Sequence, residues 1–249
     1  MTLNLVFNMK KYLNLDRGNY MKKVGIIFAM KEELDETLKM FDNKIEHSVY
    51  NLTIYECSNE LITCYLLESG IGKVNATRST QILIDKMNVD YILNVGVAGS
   101  VSRDVKKCDI VIADKLAQHD FDLTVFNREK GEIPDIGKYI ECDKKLVDIA
   151  KEVVIDTNVT VGVVASGDIF VSEEKMGAKI NTKFDALCVE MEGAAIAQVC
   201  HLCNVPFLVI RAISDSPYEE DNHITFDEFL KISSDMAAKF IIEFLSKVE

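Results

Sequence analysis

Hydrophobic positions along this chain follow two different periods in turn. Residues 24–28 form a short continuous apolar run, the mark of a strand buried on both faces. Leu34, Leu38 and Phe41 then fall at i, i+4 and i+7, the stripe of an amphipathic helix. Alternation at Leu52 and Ile54 and the run over residues 61–67 predict two strands, paired as a hairpin across Ser58-Asn59-Glu60. A helix is expected over residues 72–87, and buried strands over 91–97 and 110–113. Residues 116–139 show no clear period, and an aperiodic stretch of that length inside a compact domain is usually functional. Beyond it the pattern predicts a helix over 144–154, a strand over 159–165 and a short helix over 171–180. A strand over 186–189, an Ala-rich helix over 193–203, a strand over 206–213 and a closing helix over 226–248 complete the chain.

That order predicts one α/β domain with a mixed sheet, in which the hairpin interrupts strict alternation of strand and helix. The domain is expected to span residues 21–249, because Met21-Lys22-Lys23 leads straight into the first buried run. Residues 1–20 lack any period and are read as a poorly ordered extension. They have no leading positive charge, and Leu3-Asn4-Leu5-Val6-Phe7-Asn8 is too short and polar for a signal-peptide core, so a cytoplasmic location is expected.

Composition narrows the partners. Lys+Arg number 28 against 40 Asp+Glu, a formal net charge of −12 over 249 residues. So acidic a surface repels phosphate backbones and anionic headgroups, which argues against nucleic acid and membranes and leaves a small neutral or zwitterionic ligand. Seven cysteines, an odd number set mostly in apolar segments, read as buried thiols in a reducing compartment. Cys200-His201-Leu202-Cys203 forms a CxxC without a second ligand pair, and the four histidines lack metal spacing. No metal is expected.

Open α/β sheets bind ligands beyond the carboxyl ends of their strands. Five segments there carry polar or glycine-rich sequence: Ala29-Met30-Lys31-Glu32-Glu33, Ser69-Gly70-Ile71-Gly72-Lys73, Gly96-Val97-Ala98-Gly99-Ser100, Val189-Glu190-Met191-Glu192-Gly193 and Arg211-Ala212-Ile213-Ser214-Asp215. Each also has a plain structural reading. Glutamates favour a helix N-terminus, Gly96 and Gly99 would permit a tight strand-to-helix turn, and Ser214-Asp215 would cap a helix. Asn75 stands where a dinucleotide fingerprint needs its third glycine, and Gly72-Lys73 lacks the rest of a P-loop. No Gly-x-Ser-x-Gly elbow occurs. Three acids at strand ends with glycine-rich turns between them point to acid–base chemistry on a small molecule. The spacing leads no further.

Those segments, in that order and together with Ser166-Gly167-Asp168 and Asn94-Val95-Gly96-Val97-Ala98-Gly99, resemble the bacterial 5′-methylthioadenosine/S-adenosylhomocysteine nucleosidases of the nucleoside phosphorylase superfamily. The resemblance runs from Met21 to the last helix. It implies a mixed, partly barrel-like sheet flanked by helices, a homodimer, no cofactor, and hydrolysis of the bond between adenine N9 and ribose C1′ in methionine salvage. By residue it implies that Asp215 protonates adenine N7, Glu33 activates water and Glu192 holds a ribose hydroxyl, with Arg211 near the water. Phe170 would stack on adenine, the Val171 backbone would read its edge, and Met191 would lie under the ribose. Ile71 and Phe226 would line the 5′-thio pocket, which Leu123, Phe126 and Pro134 of a partner subunit would close. From the residues themselves, Leu123, Phe126 and Ile133 are apolar in an aperiodic loop and are expected to be buried by a partner. Met30, Val97, Ala98, Gly99, Glu190 and Ser214 would border the substrate. Glu190, two residues from Glu192, is expected to matter less than it does.

One departure informs the nucleophile. Many relatives have Ser where Val97 stands, and valine offers no hydrogen bond to a phosphate oxygen, which favours water. The alternatives are a nucleoside phosphorylase, a nucleosidase for futalosine-type substrates, and an inactive storage or binding relative.

Overall fold

The computed structural model describes residues 21–58, 62–216, 218 and 226–248, with backbone alone at 226–228. The extension over residues 1–20 lies outside them. The first element is β1 (Lys22–Phe28), whose last five residues are buried. It lies between β4 (Ile62–Glu68) and β5 (Tyr91–Ser100), parallel to both. With neighbours on each edge and helices over each face, β1 keeps no polar side, which is why it reads as an unbroken apolar run. Ile26, Ile27 and Phe28 are fully buried, and each contributes about 1.5–3 kcal/mol of burial free energy.

On one side of β1 the sheet continues as a meander, β4–β3–β2, with β3 at Leu52–Ser58 and β2 at Ile45–Val49. The predicted antiparallel pairing of β3 and β4 is present. β2 is an addition to the prediction: its sequence IEHSV is exposed or half-buried throughout, as befits an edge strand with little to bury. On the other side β5 is followed by β10 (Phe207–Asp215), β6 (Ile110–Gln118), β8 (Val159–Ser166) and β9 (Ala186–Glu190), and β9 pairs back onto β5. These five strands close into a barrel, the partly barrel-like sheet that the resemblance implies.

Helices cover this sheet. α1 (Lys31–Leu38) and α6 (Phe226–Lys247) pack together, and α6 also lies on β10 and β5. α2 (Lys73–Ile82), continued by a π-helical turn at Leu83–Met87, packs against α5 (Gly193–Cys203). α3 (Lys144–Lys151) and α4 (Glu174–Phe184) complete the shell, with a two-residue strand β7 (Ile140–Glu141) on the edge of β6. No helix among the described residues is long and apolar enough to cross a membrane.

Among the boundaries that differ from expectation, those of β6 and α4 do so for visible reasons. β6 runs five residues past the predicted Ala113, because a bulge between Ala113 and Lys115 breaks the sequence alternation without ending the strand. The aperiodic stretch is correspondingly shorter, and it holds a 3₁₀ turn at Thr124–Phe126. α4 begins at Glu174 rather than at 171, leaving Val171 free to face a cavity, and it extends to Phe184, buried one turn beyond Ile180.

Candidate active site

Chain segments that end strands meet around an open pocket. Ala29 and Met30 follow β1, Ile71 follows β4, and Val97, Ala98 and Gly99 belong to the last part of β5. Ile169, Phe170 and Val171 follow β8, Val189 and Glu190 end β9 with Met191 and Glu192 just after it, and Ser214 and Asp215 end β10. Glu33 enters from the first turn of α1. All three predicted acids, and all the apolar residues expected at base and ribose, therefore line one cavity. Ala29, Ile169 and Val189 line it as well, and sequence reasoning gave them no role.

Glu33 and Glu32 are neighbours with opposite fates. Lys31 opens α1, so Glu32 points to solvent while Glu33, Leu34, Thr37 and Leu38 form the buried face. The Glu33 carboxylate accepts hydrogen bonds from the Ala29 and Met30 amides at 3.0 Å each and from the Val97 amide at 2.9 Å. The first two resemble half of a capping box, in which a helical glutamate reaches back to the N-cap amide. The third ties α1 to β5. Burial raises the Glu33 pKa against the opposing effects of those amides and of Arg211.

Arg211 is the largest fully buried side chain, and it does not line the pocket. Its Nη2 donates to Glu190 at 2.6 Å and to the side chain of Asn94. Nη1 donates to the Asn94 and Ile210 carbonyls at 3.2 and 3.0 Å. Ser166 donates to Glu190 Oε1, while Oε2, which takes Arg211, also accepts the Glu192 and Gly193 amides at 3.0 and 2.7 Å. Asn94, Ser166, Glu190 and Arg211 come from β5, β8, β9 and β10, so the network stitches four of the five barrel strands. Asn94 and Ser166 had no assigned role. The available signal was a polar residue inside an otherwise apolar strand run, where burial demands a partner.

This network separates the two glutamates of Glu-Met-Glu. Burial would raise the Glu190 pKa, but Arg211, Ser166 and the Gly193 amide outweigh it and hold the carboxyl below its usual range. Glu192 is pushed up to about 7, first by burial and then by the anionic Glu190 beside it. The Gly72 amide, donating to Glu192 at 2.7 Å, and Arg211 oppose that shift. The expectation that Glu190 is a mild position needs correction: it is the counter-ion of a wholly buried arginine.

Asp215 ends β10 and caps no helix among the described residues, contrary to its plain structural reading. Its Oδ1 accepts the Ser214 hydroxyl at 2.8 Å. Burial raises its pKa, with Ser214 and Lys107 opposing. Gly96 and Gly99 likewise sit inside β5 and not at a turn. A β-carbon on Gly96 would lie 2.5 Å from Glu33 Oε1, and one on Gly99 would lie 2.8 Å from Asp215 Oδ2. Each glycine makes room for a carboxyl group.

The remaining predicted residues lie elsewhere. Leu123, Phe126 and Pro134 occupy the loop after β6 and do not touch the pocket of their own chain; Phe126 is 71% exposed. Ile133, grouped with them in sequence as a partner contact, is buried at 7% in its own core and bridges Gly137, so it is not available to a partner. The side chain of Phe226 lies outside the described residues. Cys200 is buried with its thiol pKa raised, and Cys203 is half-buried.

The sequence model of the phosphorylase superfamily matches residues 23–246. The 5′-methylthioadenosine/S-adenosylhomocysteine nucleosidase of an Exiguobacterium species is 39% identical over 231 residues, covering 91% of this chain and 99% of the relative. The Helicobacter pylori nucleosidase of the same name, solved with butyl-thio-DADMe-Immucillin-A, matches with a TM-score of 0.86 and 35% identity over 92% of this chain and 100% of the other. A Helicobacter pylori structure described as futalosine hydrolase matches at the same TM-score and identity, covering 92% and 99%. With likeness of sequence and fold over nearly its whole described length, the chain belongs to the 5′-methylthioadenosine/S-adenosylhomocysteine nucleosidase family of the phosphorylase superfamily.

Proposed function

We propose that this chain hydrolyses the N-glycosidic bond of 5′-methylthioadenosine and S-adenosylhomocysteine, with 5′-deoxyadenosine as a further substrate, in methionine salvage. The observation that carries this reading is the convergence of Glu33, Glu192 and Asp215 on one pocket, each with its pKa raised by burial. Raised carboxyl groups are the equipment of general acid–base catalysis near neutral pH.

In this reading Phe170 stacks on adenine and the Val171 backbone reads its edge. Asp215 gives its proton to N7 as the C1′–N9 bond breaks and the bonding pair passes to the purine. A water attacks C1′ and yields a proton to Glu33. Its oxygen becomes the anomeric hydroxyl of the thioribose product. Met191 supports the ribose from below, and Glu192 accepts a hydrogen bond from a ribose hydroxyl. Arg211 acts from behind, through Glu190 and through its field on Glu33. The reaction draws on water and side chains alone.

Water is favoured over phosphate on physical grounds. Val97 lines the pocket, its amide is already committed to Glu33, and its side chain offers a phosphate oxygen nothing. The test is adenine release from methylthioadenosine with and without phosphate. Equal rates with free methylthioribose are expected, and a ribose 1-phosphate product would overturn the hydrolase reading. The Helicobacter structure described as futalosine hydrolase gives a second substrate class, so futalosine belongs in the same assay.

The reading includes a homodimer. Ile71, Ile169 and Phe170 on the pocket rim, and Val125 and Phe126 on the loop, are large apolar side chains exposed on the single chain. Exposed apolar groups of this size are the material of subunit contacts, and a partner's Leu123, Phe126 and Pro134 would close the 5′ end of the site. It also includes a cytoplasmic location, which seven free thiols support.

A further inference from the structure

We propose that Lys73, Asp120 and Asp168 form a positioning clamp for the ribose-binding glutamate, holding the Gly72 amide on Glu192. The inference rests on the nucleosidase reading only for its kinetic consequence.

The three residues make a closed ring. The Lys73 amide donates to Asp168 Oδ1 at 2.8 Å, the Asp168 amide donates to Asp120 Oδ2 at 2.9 Å, and Lys73 Nζ donates to Asp120 Oδ1 at 2.8 Å. Nζ also donates to Gln118 Oε1 at 3.2 Å, and Gln118 in turn donates to Gln198 on α5 at 2.7 Å. The ring thereby ties together the turn after β4, the loop after β6 and the loop after β8. Asp168 directly precedes Ile169 and Phe170, and Lys73 lies two residues after Ile71; Ile71, Ile169 and Phe170 all line the pocket.

The turn needs such a hold. Gly70 and Gly72 have φ of +82° and +99°, conformations that glycine adopts freely and abandons as freely. Asn75 Nδ2 holds the Ile71 carbonyl at 2.8 Å on one side of the Ile71–Gly72 peptide, and the Gly72 amide on its other side makes the hydrogen bond that favours the anionic form of Glu192. Fixing Lys73 by its backbone to Asp168 and by its ammonium to Asp120 fixes the Gly72–Lys73 peptide, so that with Asn75 on the Ile71 carbonyl both peptides flanking Gly72 are anchored. Glu192 is also faced by Glu190, Arg211 and Glu33, the first and last disfavouring its anion and the arginine favouring it. Because Glu192 titrates near neutrality, a loosened amide lowers the anionic fraction available to accept a ribose hydroxyl.

The decisive experiment is a pH titration of Glu192 by ¹³C NMR in glutamate-labelled protein without substrate, assigned with Glu192→Gln. It is run on the parent, Asp168→Ala, Lys73→Met and Lys73→Arg. Asp168→Ala is the discriminating variant. Removing a negative charge nearby would by electrostatics alone lower the Glu192 midpoint, whereas loss of the clamp raises it, by about one pH unit for one weakened hydrogen bond. Lys73→Met is expected to raise it similarly and Lys73→Arg to restore most of it. In turnover of methylthioadenosine at pH 7, Asp168→Ala and Lys73→Met are expected to raise KM and lower kcat/KM about 10-fold, with melting temperature nearly unchanged. A midpoint that falls or stays put in Asp168→Ala overturns the proposal, as does an unchanged midpoint in Lys73→Met. Absence of adenine release by the parent protein would instead sink the nucleosidase reading, while the titration still decides the clamp.

Discussion

In the proposed reaction Glu192 accepts a hydrogen bond at neutral pH, a task for which a carboxyl group is ordinarily placed where it ionises easily, and Glu192 is not. Its pKa of about 7 lies above the ordinary 4.5, so between those values the folded chain retains a proton that the unfolded chain has released. The stability this proton contributes is complete below about pH 4.5 and is lost as pH rises through about 7. Glu192→Gln removes the titration and still accepts the Gly72 amide. Calorimetry should therefore show the variant stabilised at pH 8 by about 1–3 kcal/mol and hardly at all at pH 5, while adenine release is largely lost. Equal melting shifts at both pH values would show that Glu192 is not the group responsible. Asp215→Asn keeps a hydrogen-bond donor near N7 and cannot transfer a proton. Turnover should fall by about 10²–10⁴-fold with nucleoside binding retained, as calorimetric titration would report. Loss of binding instead would make Asp215 a recognition group.

Strand β5 illustrates how one element serves two acids. Its Gly96 and Gly99 stand on it three residues apart, and each leaves the space that a carboxyl group fills. Gly96→Ala would press on Glu33 and Gly99→Ala on Asp215, so each should lose about 10²-fold in kcat, the cost of moving a catalytic group by roughly 1 Å. Gly25→Ala on β1 is the comparison, because its β-carbon would meet Ile92 and Leu83 in the core. It should lower the melting temperature and leave kcat near the parent value. If Gly25→Ala and Gly96→Ala lose activity and stability in the same proportion, the glycines serve packing alone. Across the barrel, Glu190→Ala would strand Arg211 as an unpaired buried charge. That should cost about 3–5 kcal/mol, or roughly 10 °C in melting temperature, before any effect on chemistry. A variant as stable as the parent would mean that the network is dispensable.

At the scale of the molecule, the exposed rim is the feature a single chain does not explain. Phe126→Asp alters a side chain that is 71% exposed, so the subunit should fold as before. Sedimentation should nevertheless show dissociation of the proposed dimer, and kcat/KM for methylthioadenosine should fall about 10-fold or more as the 5′ end of the pocket loses its cover. A variant that is fully monomeric and fully active would show that the pocket is complete within one chain.

Period and burial decided most of the architecture from sequence alone. Strands enclosed on both faces, such as β1 and β10, read as mainly apolar runs, and α1 must show a stripe, because each pattern follows from which faces meet water. β2 was illegible for the same reason: an exposed edge imposes no pattern. The acids of the site were legible as residues at strand ends, and their separate roles came from resemblance and not from spacing. Tertiary structure alone decided the rest. That Glu33 turns inward while Glu32 does not depends on the Ala29, Met30 and Val97 amides that receive it, and that Glu190 is held below the usual range while Glu192 is pushed up depends on Arg211, Asn94 and Ser166, which stand on three other strands. Gly96 and Gly99 looked like a turn because a sequence shows that a side chain is missing and not what fills its place. Electrostatic fields and excluded volume act between segments far apart in the chain, and only the closed barrel brings those segments together.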